Sequence, residues 1–485
     1  MAAANPIANK CNTVFNDLLR WRVFLLFMFS VVWNVQAQDY YTGLKFDDEQ
    51  YASEFRMARG LNFTELDTVE SVSLDGYAPE AGNQGKFNSC VSWATAYAAL
   101  TIHQHIAGNP VAPRSPWYVY NQVNNPLDCN APTSIGNSLK VLKEKGDCSF
   151  SDFMPPTCGT PPSDTLHTYA SRCRIKDYYT IFSSEDAADV KIQNTIHNLS
   201  SKKCVIVGMK MFKNFTEVGK DGMYKPKEES GELGGHAMCV TGFDKKKKVF
   251  RLLNSWGTGW GDRGYCTLSF DDFARYTRYA YCMNIITSSS LNFADGGNQL
   301  EGEFIFKKLY VRGSDYVFEE VQPVLQDRYY TLNQKCSTRD FYKLIVQQVK
   351  ENSYLYVFSM KPDGSTELLF PKAGNEYDER DMPIMTSGKV KVIIPEHPDR
   401  AFTTNQAGTD YLCILICKQR VENMLHQLKQ IEQAHGELPD RIRQVFEHEV
   451  VAEEDVLYSN RRMKGEVRKS KGQILPIILK VDVQE

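Results

Sequence analysis

The chain has 485 residues, 42% hydrophobic and 24% charged, an ordinary composition for a globular protein of roughly two to four domains. Its formal net charge is only -3, so nothing suggests nucleic acid as the main partner, and none is expected. Aromatic residues make up 12%, in keeping with β-rich parts.

Residues 1–37 read as an export signal. Lys10, Arg20 and Arg22 precede the apolar run Val23 to Val35, and small residues at Val35 and Ala37 suit cleavage after Ala37. The run is short for a membrane span, which needs about 20 apolar residues; the bland alternative is an uncleaved anchor. No Cys follows the run at the cut, so a lipid anchor is not expected. Export implies a secreted, periplasmic or cell-surface protein, where disulfides are permitted. Of 13 cysteines, Cys11 leaves with the signal. If Cys90 is a working thiol, an odd number remains, so at least one is free or pairs between chains. Cys129, Cys148, Cys158 and Cys173 cluster and are the expected bridge-formers, whereas Cys413 and Cys417 in "YLCILICK" read as buried thiols. Nothing in the Cys and His spacing argues for a metal, and no cofactor is expected.

Residues 38–75 are a polar, mixed lead-in. From 76 to 287 the chain reads as one α+β domain. "CVSWATAYAALTIHQH" places Val91, Ala94, Tyr97, Ala98 and Ile102 at helical spacing. "SIGNSLKVLKEKG" starts on Ser134 and stops on Gly146, as a capped helix does. "KCVIVGMKMF" reads as a strand, and "HAMCVTGFDKKKKVFRLLNSWG" as two strands around a charged, solvated turn. Residues 288–302 are a linker by composition. Residues 303–485 form a β-rich region with a helical tail. "YLYVFSMKPDGSTELLFP" signals a hairpin, and "KVKVIIP", "DYLCILICK" and "ILPIILKVDV" further strands. "VENMLHQLKQIEQAHG" sets Val421, Met424, Leu425, Leu428 and Ile431 on one helical face.

Three separated stretches carry chemistry. The first holds Gln84 and Cys90, the second His236 behind Gly234 and Gly235, the third Asn254 and Trp256. Alone, a His before an apolar strand is usually structural, and a Gly- and Trp-rich turn is usually a tight loop. Together they supply a nucleophile, a base and an orienting group. A thiol where a loop becomes a helix meets unpaired N–H groups and a partial positive charge, which favour the thiolate. His236 would hold the proton as imidazolium, and Asn254 would fix the ring without adding charge. Gln84 and the Cys90 N–H are placed to donate to a tetrahedral oxyanion.

"NQGKFNSCVSWA", "GGHAMCVTGF" and "NSWGTGWGDRGY" resemble the three signature segments of the papain-like cysteine peptidases, bacterial type, over roughly residues 75 to 287. Cys90 and His236 lie 146 positions apart, inside the family's spacing of roughly 130–150. The resemblance implies a two-lobed fold, one lobe helical and one β-barrel-like, acting on a peptide or protein substrate. It casts Cys90, His236, Asn254 and Gln84 as catalytic, and Gly234, Gly235 and Trp256 as lining the cleft. Three departures stand out. Val91 and Ser92 separate Cys90 from Trp93, "NNPLDCNAPTSIGN" replaces the usual Gly-rich subsite segment, and the lead-in is too short for the usual inhibitory prodomain. Residues 303–420 resemble a β-rich module appended to bacterial peptidases and kinases. Its readings are a contact with the cell envelope or another copy, regulation of the peptidase, or a spacer. Two other functions compete: a silent binding protein on a peptidase scaffold, and acyl transfer to an amine as in transglutaminase-like folds, against which Asn254 in place of Asp argues.

Overall fold

In the computed structural model, which describes residues 40–57, 69–124, 128, 130–154, 159–286, 300–312, 315–350, 353–371, 381–382, 392–395, 401–460, 462–468 and 470–485, the lead-in is part of the fold. The export signal, Cys11, Cys129, Cys158 and most of the expected linker lie outside the described residues. Residues 41–485 form one unit. No helix among the described residues is long and apolar enough to cross a membrane.

After an extended stretch at 41–46, Asp47 caps helix α1 (Asp48–Ser53), its carboxylate accepting from the Gln50 N–H at 3.0 Å. Tyr51 anchors it, stacking on Tyr279 at 4.3 Å and donating to the Phe182 carbonyl at 2.6 Å. Strands β1 (Arg56–Met57) and β2 (Ser71–Ser73) follow.

The central helix begins at Cys90 as α2 (Cys90–Ser92). It continues through a π-wound stretch, Trp93–Leu100, into α3 (Thr101–Ile106). Ala94, Ala96, Ala98 and Ala99 leave room for neighbours on all sides, and the whole first turn is buried. Around it Trp93, Trp117 and Tyr120 form an aromatic core with Phe87, Tyr97, Phe150 and Phe153. Trp117 and Tyr120 come from α4 (Pro116–Val123), where Ser115 caps and Pro116 takes the first turn, which lacks N–H partners anyway. Helix α5 (Ile135–Glu144) has the expected cap, Ser134 accepting from the Asn137 N–H at 3.2 Å. Gly146 ends it at φ +82, and a Cβ there would lie 2.0 Å from the Ala170 carbonyl oxygen. Gly146→Ala is therefore expected to cost more than about 1 kcal/mol and to lower Tm by several degrees in a thermal melt; an unchanged Tm would contradict the close approach.

Helix α6 (Asp164–Ala170) leads to the second lobe: β3 (Ile175–Thr180), α7 (Ala188–Ser200), β4 (Val205–Phe212), β5 (Glu232–Asp244), β6 (Val249–Leu253), β7 (Tyr265–Ser269), α8 (Phe270–Tyr276) and β8 (Thr277–Ile285). Strand β5 is buried from His236 to Phe243 because both its faces are covered, so it reads as a mostly apolar run broken by His236 and Thr241. Its register with β4 sets Met209 opposite His236. The charged turn at Lys245–Lys248 joins β5 to β6, with Lys248 at φ +54.

The C-terminal module contributes β9 (Glu301–Arg312), β10 (Asp315–Val321), β11 (Pro323–Gln326), β12 (Tyr329–Leu332), β13 (Cys336–Ser337), β14 (Phe341–Val349), β15 (Tyr354–Met360), β16 (Thr366–Phe370), β17 (Asp381–Met382), β18 (Val392–Ile394), β19 (Phe402–Thr403) and β20 (Gly408–Cys417). All except β17 lie in two seven-stranded sheets. The hairpin read from Pro362-Asp363-Gly364 is β15–β16, closed by the Lys361 N–H on the Ser365 carbonyl at 2.8 Å.

The helical tail needs correcting. Helices α9 (Met424–Gln433) and α10 (Leu438–Phe446) form a hairpin inside the module, and three strands follow: β21 (Val456–Tyr458), β22 (Met463–Val467) and β23 (Ile474–Gln484). The apolar β23 pairs with β20 from Gly408↔Val483 to Cys417↔Ile474, in the middle of a sheet. Met424, Leu428 and Ile431 bury the α9 face, but Leu425 is turned out to solvent. Cys413 and Cys417 are buried free thiols; Cys148 and Cys173, expected to bridge, are free as well. Cys148 is buried, and the Cys173 sulfur accepts from the Gln104 amide at 2.8 Å.

Candidate active site

Three elements bring the sequence-predicted residues together. Cys90 is the first residue of α2, His236 lies on β5, and Asn254 begins the turn after β6. The Gln84 loop is stitched to that turn by the Gln84 N–H on the Ser255 carbonyl (2.8 Å) and the Gly257 N–H on the Gly82 carbonyl (2.8 Å). Gly82 is required there, since a Cβ would lie 2.0 Å from the Trp93 ring.

The hydrogen bonds determine the His236 tautomer. Asn254 Oδ1 accepts from the Ser255 N–H at 2.8 Å and lies 2.7 Å from His236 Nε2, so the ring donates from Nε2. Nδ1 is then an acceptor, buried and without a hydrogen-bond partner. The Cys90 sulfur lies beside the same stretch of β5, accepting from the Ala237 N–H at 3.4 Å. Trp256 lies against the imidazole with centroids 5.0 Å apart, and Phe215 packs on both rings. These aromatic rings cover the His–Asn pair.

Cys90 and His236 are both 0% exposed. Residues 41–46 run over them as a strap, which is the feature not legible in the sequence. Trp256 Nε1 donates to the Tyr41 carbonyl at 2.8 Å. The Thr133 N–H donates to the Gly43 carbonyl at 2.9 Å, and the Lys45 N–H to the Thr133 carbonyl at 2.8 Å. The Leu44 N–H donates to the Gly235 carbonyl at 3.1 Å. Gly235 admits the strap only because it has no side chain: a Cβ would sit 2.6 Å from the Leu44 oxygen. Gly234, at φ +121, faces Thr42. The buried Leu44 side chain shares the space over Gly208 with Ile135 and Tyr279, and a Cβ there would be 2.8 Å from its Cδ2. The two glycines expected to line the cleft thus seat the chain's own lead-in, and Thr133, from the segment that departs from the family pattern, forms the opposite edge.

This covering changes two expectations. Gln84 has no amide proton to spare. Its Nε2 donates to the Thr42 carbonyl at 3.0 Å and to the Phe87 carbonyl at 2.8 Å, while its Oε1 accepts from Ser255 Oγ at 2.6 Å. Burial also works against the ion pair. Burial pushes the Cys90 thiol up to about 12, against the opposing pull of the Ala237, Val91 and Cys90 N–H groups. Burial likewise lowers the His236 imidazole to about 4, against the Asn254 bond. Both shifts favour the neutral forms, because charge out of reach of water is poorly solvated. Among the described residues no group of three or more His, Cys, Asp or Glu is placed to hold a metal ion.

Residues 75–276 match the model of the papain family of cysteine proteases. A peptidase C1-like protein of Acanthamoeba polyphaga mimivirus is 29% identical over 198 residues, 39% of this chain and 63% of the viral protein. The chain thus spans less than two thirds of that relative's length. Among solved structures, xylellain, a cysteine protease of Xylella fastidiosa, is 19% identical, with a TM-score of 0.42 over 51% of this chain and 97% of that one. Bromelain protease of Ananas comosus is 17% identical, with a TM-score of 0.37 over 44% and 99%.

Proposed function

With residues 75–276 matching the model of the papain family of cysteine proteases, we propose that the chain is an exported, latent cysteine peptidase that hydrolyses peptide bonds once its strap is displaced. The observation that supports this most directly is the buried His236 Nδ1, left as an open acceptor by the Nε2–Asn254 bond, with the Cys90 sulfur against the next residue. Cys90 gives its proton to Nδ1 and its sulfur adds to the substrate carbonyl. The C–N bond breaks as His236 returns that proton to the leaving amine. Water, deprotonated by His236, then cleaves the thioester and regenerates the thiol. Departure of Thr42 frees one Gln84 amide proton, which with the Cys90 N–H stabilises the oxyanion. Loss of one such donor costs about 10²–10³ in rate.

The test is an iodoacetamide or epoxide probe on the full chain, mapped by mass spectrometry, together with hydrolysis of a peptide library. In the full chain opened by Leu44→Asp, modification at Cys90 and loss of hydrolysis are expected in step, and adding Cys90→Ala removes both the labelling and the hydrolysis. Equal labelling of Cys90→Ala, or a chain that labels at Cys90 and cleaves no peptide after strap displacement, favours the silent scaffold instead.

A further inference from the structure

The residues that hold the strap are themselves gripped by the C-terminal module. Short α1 carries the chain from the strap to Phe55 and β1, and β1 is bordered on both sides. On one side the Thr180 N–H of β3 donates to the Phe55 carbonyl at 2.7 Å. On the other, β17 of the module pairs with β1, Arg56 opposite Asp381 and Met57 opposite Met382. The module thereby adds an edge strand to the nine-stranded sheet of the peptidase domain. Just after β20, the Arg420 guanidinium lies 3.9 Å from the centroid of the Phe55 ring.

A second set of contacts reaches the far edge of the cleft. Lys176 Nζ donates to the Lys418 carbonyl at 2.6 Å and lies over the Tyr354 ring at 5.0 Å. The Tyr354 hydroxyl donates to Asp177, whose other oxygen accepts from Lys143 Nζ at 2.7 Å. Lys143 is on α5, the helix that begins right after Thr133, the residue bonded to both Gly43 and Lys45. The module therefore touches both supports of the strap: the lead-in that feeds it and the helix that receives it.

We propose that the C-terminal module is a clamp that keeps the strap in the cleft, so that release of the module is what unmasks Cys90. This rests on the preceding reading that the strap covers the nucleophile. A strand pairing and a stacked guanidinium next to α1 oppose the local opening the strap needs in order to leave. Whatever pulls β17 and Arg420 away from β1 and Phe55 removes that opposition.

The test uses the full chain with Arg420→Ala and Tyr354→Phe combined, and Arg420→Lys as the conservative control. Two quantities are read: hydrogen exchange at the Leu44 and Lys45 amides, and the rate of Cys90 alkylation by iodoacetamide. Both are expected to rise together by about three- to tenfold in the double variant, the scale of one cation–π contact and one hydrogen bond. Exchange within β20 and β23 stays at the wild-type rate, and Arg420→Lys restores most of the protection. Strap amides that exchange at the wild-type rate in the double variant would overturn the clamp, as would exchange that rises equally across both sheets of the module. A double variant that alkylates faster yet hydrolyses no peptide leaves the clamp standing and removes the peptidase reading.

Discussion

Leu44→Asp is expected to raise the rate of Cys90 alkylation at neutral pH by a factor on the order of 100 or more. Leu44 is the strap's one deeply buried apolar side chain, sharing the space over Gly208 with Ile135 and Tyr279. A carboxylate at that place, with no partner, costs several kcal/mol. What remains to hold the strap is a handful of backbone bonds, each contributing about 0.5–1.5 kcal/mol net because water replaces them when they break. The strap should therefore leave, and water should reach Cys90 and His236. The sign of the pH effect follows from burial. Burial is what lifts the thiol to about 12 and lowers the imidazole to about 4, so exposure brings the thiol down and the imidazole up. In the native chain the thiolate fraction, and with it the alkylation rate, should climb about tenfold per pH unit through the neutral and alkaline range. In Leu44→Asp the rate should level off near neutral pH. A pH–rate profile on the Cys90 peptide decides this, and superimposable profiles for the two chains would sink the strap as the cause of masking.

In the same opened chain, His236→Ala should lower kcat/KM for peptide hydrolysis by about 10²–10⁴. Asn254 Oδ1 already accepts from the Ser255 N–H, so the imidazole donates from Nε2 and presents Nδ1 as the base. Without the ring the thiol proton has no such acceptor, and the leaving amine has no donor. The alkylation plateau should move to alkaline pH as hydrolysis is lost, because a thiol without its imidazole titrates as an ordinary cysteine, near 8.5. Asn254→Ala keeps the ring but not its tautomer, and a smaller loss with a shifted pH profile is expected. Hydrolysis undiminished in His236→Ala would mean that the base is another group.

Much of this protein can be read locally. Cys90 stands where the small-residue helix starts, Ser134 and Gly146 bracket α5, Pro362-Asp363-Gly364 turns the β15–β16 hairpin, and the His236 and Asn254 segments declare themselves by residue type and spacing. Each of these signals is contained within a few neighbouring residues, so backbone preference and patterning alone carry it. The strap has no such signal. "YTGLKF" has neither helical nor strand periodicity, and its partners are Gln84, Thr133, Gly235 and Trp256, all distant in the chain. The same holds for β17 pairing with β1, and for β23 returning to the middle of a sheet after two helices.

Residue order by itself singled out the groups proposed to do the chemistry: the thiol, the imidazole, the amide that orients it and the glycines beside them. Tertiary structure alone decided their surroundings: covered, in a setting that favours the neutral thiol and imidazole, with the Gln84 amide occupied. The reason is physical: charge on sulfur or imidazole depends on access to water and on the nearest hydrogen-bond partners. Both are properties of what packs over a residue, and here that is a segment of the chain far from it in sequence.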